Sequence, residues 1–239
     1  MILWMLAVVC GYFVKGVTGF ANTLVVSSIM TFSAANADIS PVELLLSVPT
    51  NLLMAWRNRR EIDWRLCLPP LLMVLAGDAA GVLLLSRVDA AAVKLIFGGV
   101  LIGLGAEMLW RDWRGVKPGN GHPLLLFLLG TAAGVLSGLF GVGALLAAYF
   151  ARVTEEDGAF KGSMCFIFAT ENLFRVAAYG MTGLLTLSTV RIAVQLAPCM
   201  CLGLWMGMRL CGRLDGRLVK RIVIVMLMIS GASMLLTGL

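Results

Sequence analysis

The amino-acid sequence predicts an all-α, polytopic membrane protein built from two homologous repeats. Two observations support this prediction: the apolar composition of the chain and a repeated pattern in its two halves. The 239 residues are 60% hydrophobic and 13% charged, and the mean hydropathy is +0.94. Because a soluble domain of this size needs more charge to cover its surface, lipid is expected to surround much of the chain. Backbone groups in lipid must be hydrogen-bonded within their own segment, so the spans should be helices.

The apolar stretches are separated by short polar loops, and most are close to the roughly 20 residues that cross a bilayer core about 30 Å thick. They lie at 1–33, 40–56, 66–86, 90–110, 123–150, 159–180, 188–210 and 218–239. A polar linker rich in Gly and Pro, 111–122, divides the chain almost in half. We therefore predict a first membrane repeat at 1–110, a linker at 111–122 and a second membrane repeat at 123–239.

The repeat is visible as glycines and charges that recur at a fixed offset. A shift of 126 positions places Gly77-x-x-x-Gly81 on Gly203-x-x-x-Gly207. The same shift aligns three charged residues with three of the same type: Arg87, Asp89 and Lys94 with Arg213, Asp215 and Lys220. Chance identities between apolar segments do not preserve charges and glycines in one register, so the pattern indicates duplication.

The opening segment of each repeat, 1–33 and 123–150, is too long for one ordinary span and is interrupted by glycines, at 16–20 and 138–143. Each is either a single broken helix or a re-entrant pair of short helices. With re-entrant segments, most loop Lys and Arg residues fall on one face and only Arg87, Lys94 and Arg191 on the other. The positive-inside rule expects such a bias, which favours two inverted repeats. Alternating access would then come from one half rocking against the other.

A broken helix exposes unpaired N–H groups and a positive dipole end at membrane depth, where an anion can bind. The two breaks are therefore the first candidates for a substrate site. Their candidate residues are Lys15, Thr18, Gly19 and Asn22 in the first half, and Ser137, Gly141 and Gly143 in the second. The alternative is that the glycines only allow helices to pack closely, and we favour packing for Gly77-x-x-x-Gly81 and Gly203-x-x-x-Gly207.

Asn51 and Asn172 occupy matching positions of the two halves, in otherwise apolar helices. Each could offer amide N–H donors to a central site or form a hydrogen bond between helices. Arg175 lies on the same helical face as Asn172, and an ionisable group within the membrane is a functional candidate by default. Arg175 could bind an oxyanion, or it could pair with Glu171 four residues earlier.

Asp78, well inside an apolar stretch, is a coupling candidate together with Glu171, while Glu43 and Glu107 lie near stretch ends and are predicted to be interfacial. No cofactor or metal is expected, because His122 is the single histidine and the six cysteines lack metal-ligand spacing. Nucleic acid is excluded as a partner, because the net charge of +6 resides in short loops. The chain has no H-E-x-x-H or G-x-S-x-G motif, so an enzyme is not expected.

Three segments together resemble the sulfite exporter TauE/SafE family: GVTGFANTL at 16–24, GVLSGLFGVGALLAAYF at 134–150 and FATENLFRVAAYG at 168–180. The resemblance implies a multispanning carrier, mostly found in bacteria, that moves sulfite, sulfonates or related organic anions, usually outward. We therefore predict a secondary transporter of a small anion, a multi-pass protein of the cell inner membrane. Its predicted partners are the anion and the lipid bilayer, and a homodimer is left open. The alternative is an anion channel with the same duplicated fold.

Overall fold

The computed structural model describes residues 1–30, 36–84, 90–114, 157–181, 183 and 185–212, together with isolated positions between 124 and 150 and between 218 and 236. Within these residues the chain is helical and contains no strand, which confirms the all-α prediction. The helices in the continuous ranges are α1 (Ile2–Thr18), α2 (Asn22–Met30), α3 (Asn36–Arg57), α4 (Trp64–Leu84), α5 (Ala90–Trp113), α6 (Asp157–Met181) and α7 (Leu187–Cys211).

Two segments of the described helices are long and apolar enough to cross a membrane, Ile39–Arg57 and Leu187–Cys211, and Ile2–Thr18 and Trp64–Gly77 are shorter apolar helices. Large apolar side chains of α7 are exposed on the protein surface, among them Val194, Leu202 and Trp205. A row of this kind is unfavourable in water but fits a lipid-facing helix.

The chain forms two compact units, and each takes segments from both sides of the linker. Unit 1 comprises Met1–Ile62 and Lys161–Leu214, and unit 2 comprises Asp63–Phe160 and Asp215–Leu239. The compact units therefore do not coincide with the halves of the sequence. The repeat and its boundaries are a property of the sequence and stay a prediction.

The first glycine break is a helical hairpin. Gly19 ends α1 in the left-handed conformation, with φ 89°, and its N–H bonds to the carbonyl of Lys15 at 2.7 Å. Ala21 is also left-handed, with φ 70°, which is strained for a residue with a Cβ. The chain then folds back and α2 packs closely against α1. The evidence is that a Cβ on Gly11 of α1 would lie 2.6 Å from the side chain of Val26 in α2. The first opening segment is therefore a pair of short helices and not a single broken helix. The second break, 138–143, lies outside the described residues.

Glycines allow α1 and α7 to pack backbone against backbone. A Cβ on Gly16 would lie 2.7 Å from the carbonyl oxygen of Leu204 and 2.8 Å from Cα of Gly207. A Cβ on Gly203 would overlap the carbonyl of Val9. These contacts confirm the packing interpretation of Gly203-x-x-x-Gly207. Contacts advance in the same direction along both helices, so α1 and α7 run parallel.

α3 and α6 run antiparallel. Near the start of α3, Ser40 bonds to Arg175 and Tyr179 in the second half of α6. Just beyond the end of α3, Asn58 approaches Gly162 near the start of α6, where a Cβ would lie 3.1 Å from the Asn58 carbonyl oxygen. Because these contacts occur at opposite ends of both helices, the two helix directions are opposed.

Unit 2 has a glycine contact of its own. A Cβ on Gly98 of α5 would lie 2.8 Å from the carbonyl oxygen of Gly231, and the reverse contact is 2.7 Å. The same part of the chain carries an ion pair between Arg221 and Asp112, with 3.0 Å between Nε and Oδ2. This pair is largely exposed on the Arg221 side, so it adds little to stability.

Candidate functional site

Lys15 is a buried cation in the last turn of α1, with 1% of its surface exposed. Its ammonium lies 5.5 Å from the centre of the Tyr12 ring, and its charge is attracted by Glu43. Within the described part of the chain, Nζ has neither a hydrogen-bond acceptor nor an ion pair closer than 4 Å. A buried ammonium without an acceptor is unfavourable unless a ligand or water completes its surroundings.

Glu43, which the sequence predicts to be interfacial from its place near the end of an apolar stretch, lies in the interior of unit 1 with 2% of its surface exposed. The hairpin brings donors to it: Oε2 accepts a hydrogen bond from Asn22 Nδ2 at 2.8 Å and one from Thr23 Oγ1 at 3.2 Å. Asn22 Nδ2 also lies 2.8 Å from Ser47 Oγ, which is 3.3 Å from the Tyr12 hydroxyl. Glu43 Oε1, in contrast, has no hydrogen-bond partner among the described residues.

The polar residues of α3 lie on one helical face. Ser40, Glu43, Ser47 and Asn51 are spaced by three or four residues, and we refer to these four as the α3 polar face. Asn51 is 2% exposed, and its Oδ1 has no hydrogen-bond partner among the described residues. The spacing of these four residues is visible in the sequence. The position of Glu43 near the end of an apolar stretch, however, predicts a carboxylate at the membrane interface and not a buried one.

Arg175 contacts the α3 polar face at Ser40, the end opposite Asn51. Its guanidinium is 3.9 Å from Glu171 Oε1, donates to the Tyr179 hydroxyl at 2.9 Å and donates to Ser40 Oγ at 3.3 Å. The pairing with Glu171, one of the two alternatives for this arginine, is therefore present. Ser40 and Tyr179 were not recognised from sequence, because only the folded chain brings them together. Asn172, on the same face of α6, is 7% exposed.

Thr18 and Gly19 shape the break. The Thr18 hydroxyl lies 2.9 Å from the carbonyls of Val14 and Phe20, and it accepts the Phe20 N–H at 3.3 Å. The carbonyl of Gly19 accepts the Cys165 thiol at 3.3 Å. A Cβ on Gly19 would lie 2.9 Å from Cγ of Lys161, so glycine is required there both by φ and by space.

The remaining predicted residues cannot be placed in this arrangement. Ser137, Gly141 and Gly143 lie outside the described residues, and Asp78 lies in α4 with its side chain outside the described part. No group of three or more His, Cys, Asp or Glu residues suited to a metal occurs among the residues that were described.

The first break has features that favour a negatively charged ligand over a neutral one. α2 begins where the Ala21 carbonyl accepts the Val25 N–H at 3.1 Å, and the methyl of Ala21 cannot cap the N–H groups of the first turn. The positive end of α2 therefore lies beside Asn22, in the unit that buries Lys15. A buried ammonium, amide donors and a helix N-terminus together favour a negatively charged ligand.

An apolar helical chain with such a buried cationic centre has the features of a membrane transport protein. The model of the family described as Sulfite exporter TauE/SafE matches residues 3–234, and the chain belongs to this family. The match confirms the resemblance seen in the sequence. The family implies a membrane transporter of sulfite or related anions rather than an enzyme. No curated protein and no solved structure matches the chain.

Proposed function

We propose that the protein is a secondary transporter, working in the export direction, for a small anion such as sulfite, a sulfonate or a related organic anion. The observation that carries the proposal is Lys15, an ammonium buried in unit 1 without an acceptor among the described residues. Two opposite charges about 4 Å apart attract by about 4 kcal/mol at an effective dielectric constant near 20. An anion at Lys15 would therefore offset much of the cost of burying the ammonium.

Lys15 is the preferred charge for the anion because the guanidinium of Arg175 already has Glu171, Tyr179 and Ser40 as partners. Arg175 would act on the substrate at longer range. Asn22, Asn51 and Asn172 would supply hydrogen bonds, while Thr18 and Gly19 hold the shape of the break. Ser137, Gly141 and Gly143 stay candidates for the substrate site in the second half of the sequence, and Asp78 and Glu171 stay candidates for coupling.

We further propose a multi-pass protein of the inner membrane with inverted halves. The directions of α3 and α6 support this. If every apolar stretch crossed the membrane once, these two helices, in the second and sixth stretches, would run the same way. A re-entrant opening segment in the second half reverses one of them. The antiparallel contacts of Ser40 with Tyr179 and of Asn58 with Gly162 favour the second arrangement.

The function can be tested with purified protein in lipid vesicles, using radiolabelled sulfite and then a panel of sulfonates and carboxylates. We expect uptake by the wild type and at least a tenfold loss of sulfite affinity in Lys15→Met, because one charge-assisted contact is worth about 1.5–3 kcal/mol. Arg191→Met, which removes an exposed cation of α7, is the matched control and should leave affinity unchanged.

Unaltered sulfite affinity in Lys15→Met would reject Lys15 as the substrate charge. Unaltered uptake in both Arg175→Ala and Asn172→Ala would remove these two residues from the site. Electrical currents far above the turnover of a carrier would identify an anion channel instead.

A further inference from the structure

Glu43 and Lys15 are ionisable groups of opposite charge in the interior of unit 1. Both side chains are at most 2% exposed, and their charges attract one another. Among the described residues, the ionisable groups that act on Glu43 are Lys15 and Tyr12, both from α1. Asn22 and Thr23 of α2 and Ser47 of α3 itself are its neutral neighbours. In the empty protein, an ionised Glu43 would offset part of the charge of Lys15, although no direct ion pair within 4 Å joins the two among the described residues.

The net charge of this region changes when an anion arrives at Lys15. A singly charged anion added to an ionised Glu43 leaves two negative charges facing one positive charge in a region of low dielectric constant. Neutrality is restored if Glu43 binds a proton at that moment. A neutral carboxylic acid also has an O–H donor, so a group that repels the anion becomes one that can hydrogen-bond to it.

The two oxygens of Glu43 are suited to different tasks. Oε2 accepts hydrogen bonds from Asn22 and Thr23, which hold the carboxyl group in place in either charge state. Oε1 is buried and has no hydrogen-bond partner among the described residues, so it is available for a proton. We infer that Glu43 is the proton site of this carrier, ionised when the site is empty and taking up one proton from solution when an anion binds at Lys15.

The inference rests on the proposed function and adds its coupling ion. Loading would bring in one anion and one proton, so both the empty and the loaded site carry the same net charge. Net flux would then follow the anion gradient and the pH gradient together, in either direction. Glu43 was not among the residues that the sequence suggested for coupling, since Asp78 and Glu171 were preferred.

The test is to count the protons taken up when sulfite binds to the full-length protein in lipid nanodiscs. Calorimetric titrations in two buffers of different ionisation enthalpy give this number, and the protons exchanged by sulfite itself cancel when variants are compared. We expect Glu43→Gln, which resembles the protonated acid, to bind sulfite and to take up about one proton fewer than the wild type. Glu61→Gln, at an exposed carboxylate, is the matched control and should behave as the wild type.

A vesicle experiment separates the two levels of the proposal. A pH gradient should drive sulfite accumulation by the wild type but not by Glu43→Gln, whose exchange of sulfite for sulfite should continue. If Lys15→Met lowers sulfite affinity at least tenfold but Glu43→Gln takes up as many protons as the wild type, the proton site is wrong and the anion site stands. If the wild type does not bind sulfite, both are wrong.

Should Glu43→Gln fail to fold, infrared difference spectra of the wild type and Glu43→Asp decide the question. Addition of sulfite should produce the C=O band of a protonated carboxylic acid in the wild type, and that band should move in Glu43→Asp. A spectrum without such a band, or with a band that is identical in both proteins, would overturn the inference.

Discussion

Gly16→Ala should separate α1 from α7. The new methyl group would lie 2.7 Å from the carbonyl oxygen of Leu204, 2.8 Å from Cα of Gly207 and 2.8 Å from the backbone nitrogen of Met208. Since comfortable contacts between heavy atoms are about 3.5–4.0 Å, the helices must move apart by roughly 1 Å. All three atoms belong to the backbone and cannot rotate away. Overpacking of this kind costs about 1–3 kcal/mol, and we expect the upper part of that range.

The matched control is Gly103→Ala in α5, where a Cβ would meet no atom of the described residues within 4 Å. Because alanine is favoured over glycine in a helix by about 0.8–1.0 kcal/mol, this variant should be slightly more stable than the wild type. The free energy of unfolding, from denaturant titrations in mixed micelles, should thus change with opposite sign in the two variants. Equal changes in both would mean that the close contact of α1 with α7 contributes no packing energy, and the reasoning would be refuted.

Two further substitutions distinguish structural from functional roles. Asn51→Leu removes a buried oxygen that has no partner among the described residues. The free energy of unfolding should therefore be unchanged or higher, while sulfite affinity should fall about tenfold. A loss of stability in micelles would instead indicate that Asn51 forms a hydrogen bond between helices. Arg175→Met should lower the free energy of unfolding by about 3 kcal/mol, because it removes the cation paired with the buried Glu171. Adding Glu171→Gln should recover most of that loss, and a double-mutant cycle without coupling would contradict the pairing.

The helices were predictable because lipid leaves the backbone few alternatives, and the family was recognisable from the order of the glycine segments. The partners of each helix were not predictable. Gly16 and Gly207 come from different halves, and no local pattern in either segment indicates that their backbones meet. Apolar composition shows that a segment is buried, either in protein or in lipid, but not which segment covers it.

The candidate site was also only partly predictable from the sequence. Lys15, Asn51 and Arg175 stand out in the sequence because each is a polar residue within an apolar stretch, and all three are buried. The burial of Glu43 could not be predicted, because the side chains of Asn22 and Thr23 reach it only after the chain has reversed at Gly19. The hydrogen-bond donors that stabilise the buried carboxylate belong to another helix, so the sequence around Glu43 does not indicate them.

The contact between α1 and α7 also limits how the transporter can move. Glycine is the smallest residue, so neither Gly203 nor Gly207 can shrink further to accommodate a tilt or a sliding motion of α1. The two helices should therefore move together as one rigid body, although they come from different halves of the sequence. The parts that move in a transport cycle would then not coincide with the two halves of the sequence. Each half of the sequence therefore depends on the other for part of its packing.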